Sequence, residues 1–368
     1  MSYESGLSVR PSTLGDYDGI SAVMERNGLA SGDAQEWRRR WAENPFRLTD
    51  ADLCTGWVLE APGGRIVGSF GSIPLEYTWN QRRIVARAAS ALAVDLEFRQ
   101  DSVALFAKFF RQKGVVLLLN TSANYAAGRV FEGFKARRVP HPAFDEVLFW
   151  ITEPLGFSES VLRKKRIPMA QALKYPASLA ARVMGASARL TRGMPARACV
   201  RRQDWFDPRF DVFWEDLRQR PDLLLAVRSR AALEWHFGVD RIRKRPEVFV
   251  LEEGERLLGY CVLVYGESKD TGLRRYTVAD LQVLRDDPQH VRALVSSAVA
   301  FARERGVHVL EVIGLSRFKR AALAELRPCR RRLPSWCFYY KVLDPSLASE
   351  LGKESAWDPG PFDGDLTL

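Results

Sequence analysis

Histidine and cysteine are scarce in this sequence, at four and five of 368 residues. The cysteines, Cys54, Cys199, Cys261, Cys329 and Cys337, are odd in number, scattered and never spaced C-x-x-C. That argues against a disulfide framework and against a structural zinc site. His141, His236, His290 and His308 are dispersed, which argues against a histidine-rich metal centre. No run of about 18 apolar residues occurs, so no membrane-spanning helix is expected. The first residues, Met1-Ser2-Tyr3-Glu4-Ser5-Gly6, lack the basic start and apolar stretch of a secretion signal, and a cytoplasmic location is expected. What is present is ordinary globular composition, 46% hydrophobic and 27% charged, in a chain long enough for two domains.

The charge is unevenly placed. Between residues 154 and 202 stand eleven basic residues against one acid, Glu159, a net +10 that equals the net charge of the whole chain. This stretch also carries Pro168, Pro176 and Pro195 and is rich in alanine, arginine, leucine and methionine. It reads as a partly helical connector. Met169, Leu173, Leu179, Val183, Met184 and Leu190 recur at roughly helical spacing, with Arg182 and Arg189 available for a polar face. Three readings follow: a solvated linker, an amphipathic segment lying on an anionic membrane, or a nucleic-acid contact. The last lacks interleaved aromatics for base stacking.

The parts on either side share one order of elements. Before the connector, helices at 17–27 and 33–44 precede a hairpin at 56–61 and 65–70. A strand at 83–94, a helix at 101–112, a strand at 115–119, a helix at 125–134 and a closing strand at 146–151 follow. After it, a helix at 228–237 precedes a hairpin at 248–251 and 257–265. A strand at 276–283, a helix at 291–305, a strand at 307–313, a helix at 318–326 and a closing strand at 337–342 complete the second part. A duplicated α/β unit is the economical account. The expected divisions are 1–153, a connector over 154–202, 203–345 and a tail over 346–368. The tail, with Trp357, Phe362 and the acids Asp358, Asp363 and Asp365, reads either as disordered or as a strap packed on the second domain by its two aromatics.

The segment with the clearest chemical content is Val94-Asp95-Leu96-Glu97-Phe98-Arg99-Gln100-Asp101-Ser102-Val103-Ala104. A buried strand enters a short turn and then a helix, whose unpaired amides and dipole would favour a phosphate. Here the chain resembles the GNAT (acyl-CoA N-acyltransferase) superfamily, whose signature Gln/Arg-x-x-Gly-x-Gly/Ala is matched by Arg99-x-x-Ser102-x-Ala104, with Ser102 in place of glycine. Downstream, Asn124-x-x-Ala127-x-x-x-Phe131 is similar to the family's Asn-x-x-Ala-x-x-x-Tyr. Phe131 lacks the hydroxyl that often protonates the leaving thiolate.

The resemblance implies a fold of two tandem GNAT-like domains, each a mixed, mostly antiparallel sheet flanked by helices. It implies acetyl-CoA or another acyl-CoA as donor. The donor would be held by Leu92, Ala93, Val94, Arg99, Gln100, Asp101, Ser102, Val103, Ala104 and Asn124. The general base stays open from the residues alone: His141, before the closing strand, could reach the acyl centre, and so could Asp145 or Asn120 at the strand end. The second copy has Asp286 and Asp287 at the corresponding turn, where they would repel a pyrophosphate, so it is expected to hold no CoA. The acceptor would be an amine, small or lipid-linked. In outline the chain is also similar to the FemABX transferases, which would bring aminoacyl-tRNA as donor. A GNAT-fold binding module without catalysis is the third reading.

Overall fold

The structure is a computed structural model and describes residues 6–47, 54–143, 145–167, 178, 198–238, 246–333 and 337–368. In the first of two mixed sheets, β1 (Ser8–Ser12), β2 (Gly56–Glu60), β3 (Ile66–Trp79) and β4 (Arg82–Val94) succeed one another antiparallel. β5 (Leu117–Ala123) joins β4 in parallel, and β6 (Arg137–Arg138) lies at the edge. The second sheet is built from β7 (Glu146–Ile151), β8 (Ala198–Gln203), β10 (Glu247–Glu253), β11 (Arg256–Glu267), β12 (Arg274–Val283), β13 (Val309–Val312) and β14 (Cys329–Arg332). Their order across the sheet is β14-β7-β13-β12-β11-β10-β8. β9 (Leu225–Ala226) adds to β3, and β15 (Cys337–Val342) pairs with β5.

The two closing strands are therefore exchanged. β7 precedes the connector, yet it pairs with β13 and β14 of the second sheet. β15 comes from the far end of the chain and completes the first sheet between β5 and β6. Divisions at 153 and 345 mark the chain but do not separate the sheets. The inner faces of both sheets also share one core, in which Ile73 and Ile84 of the first belong with Val250 and Val262 of the second.

Helices cover the sheets as their apolar spacing requires. α1 (Tyr17–Arg26) buries Ile20, Val23 and Met24. α2 (Ala34–Ala42) buries Trp37 and Trp41, four residues apart on one face, and is capped by Asp33, which accepts from the Glu36 amide at 2.7 Å. α3 (Ser102–Phe110) sets Leu105, Phe106, Phe109 and Phe110 under the first sheet. α4 (Tyr125–Gly133) starts at Asn124, whose side chain accepts from the Ala127 amide at 2.9 Å. In the second unit the helix Pro288–Glu304 covers the outer sheet face.

The ends of the basic connector are built into the second unit. α5 (Pro154–Lys164) is capped by Glu153 and brings Ser160 to His308, and β8 is an edge strand. Met169, Leu173, Leu179, Arg182, Val183, Met184, Arg189 and Leu190 lie outside the described residues. Among the described residues no helix is long and apolar enough to cross a membrane.

The tail is an ordered strap, and it serves both units. Trp357 and Phe362 are buried, at 3% exposure each. Asp358 pairs with Lys319, and Asp363 with Arg228, so two carboxylates entering the core meet two buried cations. Beyond Gly364 the strap reaches β5 of the first unit.

Candidate active site

β4 and β5 run together only from Ala86 to Ala88 against Leu117 to Leu119. Beyond that point the two strands no longer pair. β5 continues to Ala123 with β15 on its other edge, and β4 bulges where the register with β3 shifts between Ser69 and Gly71. Ala91 sits at the bulge with φ +48°, in the left-handed region, and its carbonyl accepts from Ser69 Oγ at 2.7 Å. A bulge leaves one residue out of the ladder. The strands thus splay into a cleft of about 470 Å³. Ala91 and Leu92 line one side, Asn120, Ser122 and Asn124 the other, and Met24, Leu29 and Trp37 form its roof from the helical side.

The strap supplies a carboxylate to this cleft. Asp365 Oδ1 accepts from Thr121 Oγ1 at 2.9 Å and Oδ2 from Ser122 Oγ at 2.8 Å. Burial pushes its carboxyl above the usual carboxylate range, against the opposing pull of those two hydroxyls and of Arg40. Arg40 donates from Nη2 to the main-chain oxygen of Leu368 at 2.9 Å, and burial lowers its own guanidinium. The indole N–H of Trp37 has no partner among the described residues. Asn120 Oδ1 accepts from the Ser122 amide at 3.1 Å, which leaves its amide nitrogen available in the cleft.

The residues singled out in the sequence fall into three groups. Leu92, Asn120 and Asn124 line the cleft. Ala93 and Val94 are buried in the β4 ladder opposite Ser69 and Gly68. The signature itself takes an unexpected form: residues 96–101 wind into a 3₁₀-helix that runs directly into α3. The Phe98 amide donates to Asp95 O and the Ser102 amide to Arg99 O, and the 3₁₀ turns direct the amides between them back along the chain. Ser102 Oγ also donates to Arg99 O, at 2.6 Å. Arg99, Gln100 and Ala104 are exposed, Asp101 and Ser102 half-buried, and Val103 is 57% exposed. Amides Phe98 to Ser102 therefore form no open phosphate cradle.

His141 lies away from the cleft. It is buried between the units, facing Arg320, Glu354 and Asp358, with both ring nitrogens unpartnered among the described residues and burial holding it neutral. Phe131 packs against Phe70, Phe106, Phe109 and Phe110, so the position matching the family's tyrosine is core. Asp365, Arg40 and Trp37 were missed at the sequence level. The run of acids in the tail was visible, but nothing local shows where it lands.

The second unit repeats the splay. β12 and β13 are parallel from Arg275 to Val278 against Val309 to Val312, and β12 shifts register just beyond. Here the chain's own strap fills the opening. The Leu315 amide donates to Pro359 O at 2.6 Å and the Ser316 amide to Asp358 Oδ1 at 2.8 Å. On the other side Arg228 joins Asp280 to Asp363, and Lys319 bonds Leu281 O and Asp358. Asp286 pairs with Arg220, and Asp287 caps the helix Pro288–Glu304.

By sequence, no family model and no curated protein matches the chain. Solved structures do. A GCN5-related N-acetyltransferase from Anabaena variabilis matches with TM-score 0.57 at 10% identity, over 92% of this chain and 73% of that one. A conserved protein of unknown function from Enterococcus faecalis matches with TM-score 0.58 at 9% identity, over the same shares. A GCN5-related N-acetyltransferase from Kribbella flavida matches with TM-score 0.52 at 14% identity, over 92% and 71%. The chain has the GNAT fold, with two mixed sheets flanked by helices as tandem GNAT-like domains require.

Proposed function

We propose that the chain is an N-acyltransferase that uses an acyl thioester of CoA, with the acyl-pantetheine arm in the β4–β5 cleft and an amine as acceptor. The observation that carries this reading is Asp365, a carboxylate seated on Thr121 and Ser122 inside the cleft. An ammonium acceptor must lose a proton before its nitrogen can attack the thioester carbon, and a carboxylate whose proton affinity is raised by burial is better suited to take it. The C–N bond then forms, the nitrogen gives up its second proton to solvent, the C–S bond breaks, the thiolate takes a proton from solvent, and Asp365 releases its own proton to solvent. The Asn120 amide nitrogen on the cleft wall would donate to the developing oxyanion.

The closed 3₁₀ turn supports a rival, a GNAT-fold module that binds without catalysis. Calorimetry with acetyl-CoA, with thiol release monitored over a panel of amines, separates the two. Binding with turnover that falls about 10²-fold or more in Asp365→Asn supports the transferase. Binding without turnover on any amine gives the module. No binding of acetyl-CoA removes the donor assignment, and aminoacyl-tRNA is then the donor to test.

A further inference from the structure

A second cavity, of about 400 Å³, adjoins the cleft, and Glu36 and Leu368 line both. Its floor is one face of the second sheet. Arg275, Thr277 and Ala279 present alternate positions of β12, with Glu311 of β13 and Arg331 of β14 beside them. Glu311 is 4% exposed, and its Oε1 accepts from Arg331 Nη2 at 2.9 Å. Arg275 stands 3.7 Å from the other oxygen, too far for a hydrogen bond, and makes no other polar contact among the described residues.

One carboxylate thus faces two guanidinium groups, one of them with all of its donors unspent. Glu36, half-buried, stands where the cavity adjoins the cleft, with Arg39 and Arg40 of the same helix near it. The walls between are largely apolar, from Phe237, Val264, Ile313 and Leu333. His236 contributes a neutral imidazole bonded through Nε2 to Thr367 Oγ1 at 2.6 Å.

We propose that this cavity is the acceptor subsite and that the acceptor is an amino carboxylic acid, an amino acid or the end of a short peptide. Its carboxylate is taken by Arg275 and Arg331, and its ammonium lies toward Glu36 and the cleft. The assignment of acceptor rests on the acyltransferase reading; the recognition of an amino acid does not. Planar guanidinium groups match a carboxylate in paired hydrogen bonds, and Glu311 fixes the orientation of Arg331 without satisfying Arg275. Two guanidinium groups on the sheet, a carboxylate at the mouth and apolar walls between suit a zwitterion with an apolar side chain.

The test is binding to the full chain, measured by calorimetry and ligand-observed NMR on two matched pairs: L-phenylalanine against phenethylamine, and L-leucine against 3-methylbutylamine. The amino acids are expected to bind at least tenfold tighter than the amines that lack the carboxylate. Arg275→Gln is expected to erase that preference. It leaves the Glu311–Arg331 pair intact, so a loss is not a folding defect, whereas Arg331→Gln is read only if its melting temperature is unchanged. Equal binding within each pair, no binding of any of the four, or an undiminished preference in Arg275→Gln overturns the proposal. Acetyl-CoA binding is measured on the same samples. An amino-acid preference in a chain that binds no CoA refutes the acyltransferase reading and leaves the carboxylate subsite standing.

Discussion

Arg228 holds Asp363 of the strap at 3.1 Å from inside the core, with its own side chain only 1% exposed. It also holds Asp280 of β12 at 2.9 Å and lies over the ring of Phe362 at 4.6 Å. Tyr77 of the first sheet donates to Asp363 O at 2.5 Å. One guanidinium therefore fastens the strap, the second sheet and, through Asp363, the first. Replacing it leaves two buried carboxylates uncompensated. Arg228→Ala is expected to cost about 3–5 kcal/mol, because removing one partner of a buried pair exposes the desolvation cost of the other. Chemical denaturation monitored by tryptophan fluorescence measures this. A loss below about 1 kcal/mol would show that the strap is not anchored there.

The same contact carries a pH dependence. Burial pushes the Asp363 carboxyl up to about 6, with Asp280 and Asp358 adding repulsion and Arg228 opposing it. A carboxyl raised in the folded state favours the protonated form. Its contribution is complete below the unfolded value near 4 and is lost as pH rises through about 6. Buried His141, His236 and His308, all lowered chiefly by burial, act in the opposite sense, losing stability as pH falls below their unfolded value of about 6.5. The total profile therefore mixes two signs, and the informative quantity is the difference from Asp363→Asn. Wild-type stability is expected to fall relative to that variant between pH 4 and about 6.5. A difference that stays flat across this window would refute the assignment.

Much of the order of elements was legible, because helical and strand periodicities mark buried faces locally. The partners of those faces were not. Cys337–Val342 reads as a strand wherever it pairs, and alternation states which side chains share a face, not which neighbour supplies hydrogen bonds. In the site, Asn124 could be found because it begins a helix, and Asn120 because it follows an apolar run, although the strand continues past it to Ala123. Asp365 could not, since its partners Thr121 and Ser122 lie more than 240 residues earlier. The turn at 96–101 was legible as a strand-to-helix passage. Its closure was not foreseen, although Ser102 carries the reason: its hydroxyl and amide both bond Arg99 O, where a glycine would offer the amide alone.

Gly364 marks the closest approach of the strap to β5. A Cβ placed there would stand 2.1 Å from Thr121 Oγ1, so alanine must push the strap or the threonine aside. Gly364→Ala is expected to displace Asp365 and to lower turnover by at least tenfold while changing acetyl-CoA affinity little, as a kcat effect with a small change in KM would report. Unchanged turnover would place the proton acceptor elsewhere.

Ala91 tests the bulge that opens the cleft. With φ +48° it occupies a region that β-branched residues tolerate poorly. Ala91→Val is expected to destabilise by about 1–3 kcal/mol, and Ala91→Gly to be neutral or stabilising. Thermal unfolding of the two variants checks the order, and a valine variant as stable as the glycine one would mean that the bulge is not strained.

The donor prediction follows from the two splays together. Residues 358–363 fill the one between β12 and β13, so titration is expected to give a single CoA site per chain, in the first unit. There the 3₁₀ turn directs its amides back along the chain, so the nucleotide end of CoA is expected to meet exposed side chains such as Arg99. Acetyl-CoA and acetyl-pantetheine are accordingly expected to bind within about tenfold of each other, a difference of about 1.4 kcal/mol. Ser102→Gly removes the hydroxyl that closes the turn onto Arg99 O and weakens the local helix by roughly 0.5 kcal/mol relative to serine. It is expected to raise the affinity for acetyl-CoA and leave that for acetyl-pantetheine unchanged. A wild-type preference of a hundredfold or more for the full cofactor, or two equivalent sites, would show that the phosphates are gripped in a way the closed turn does not allow.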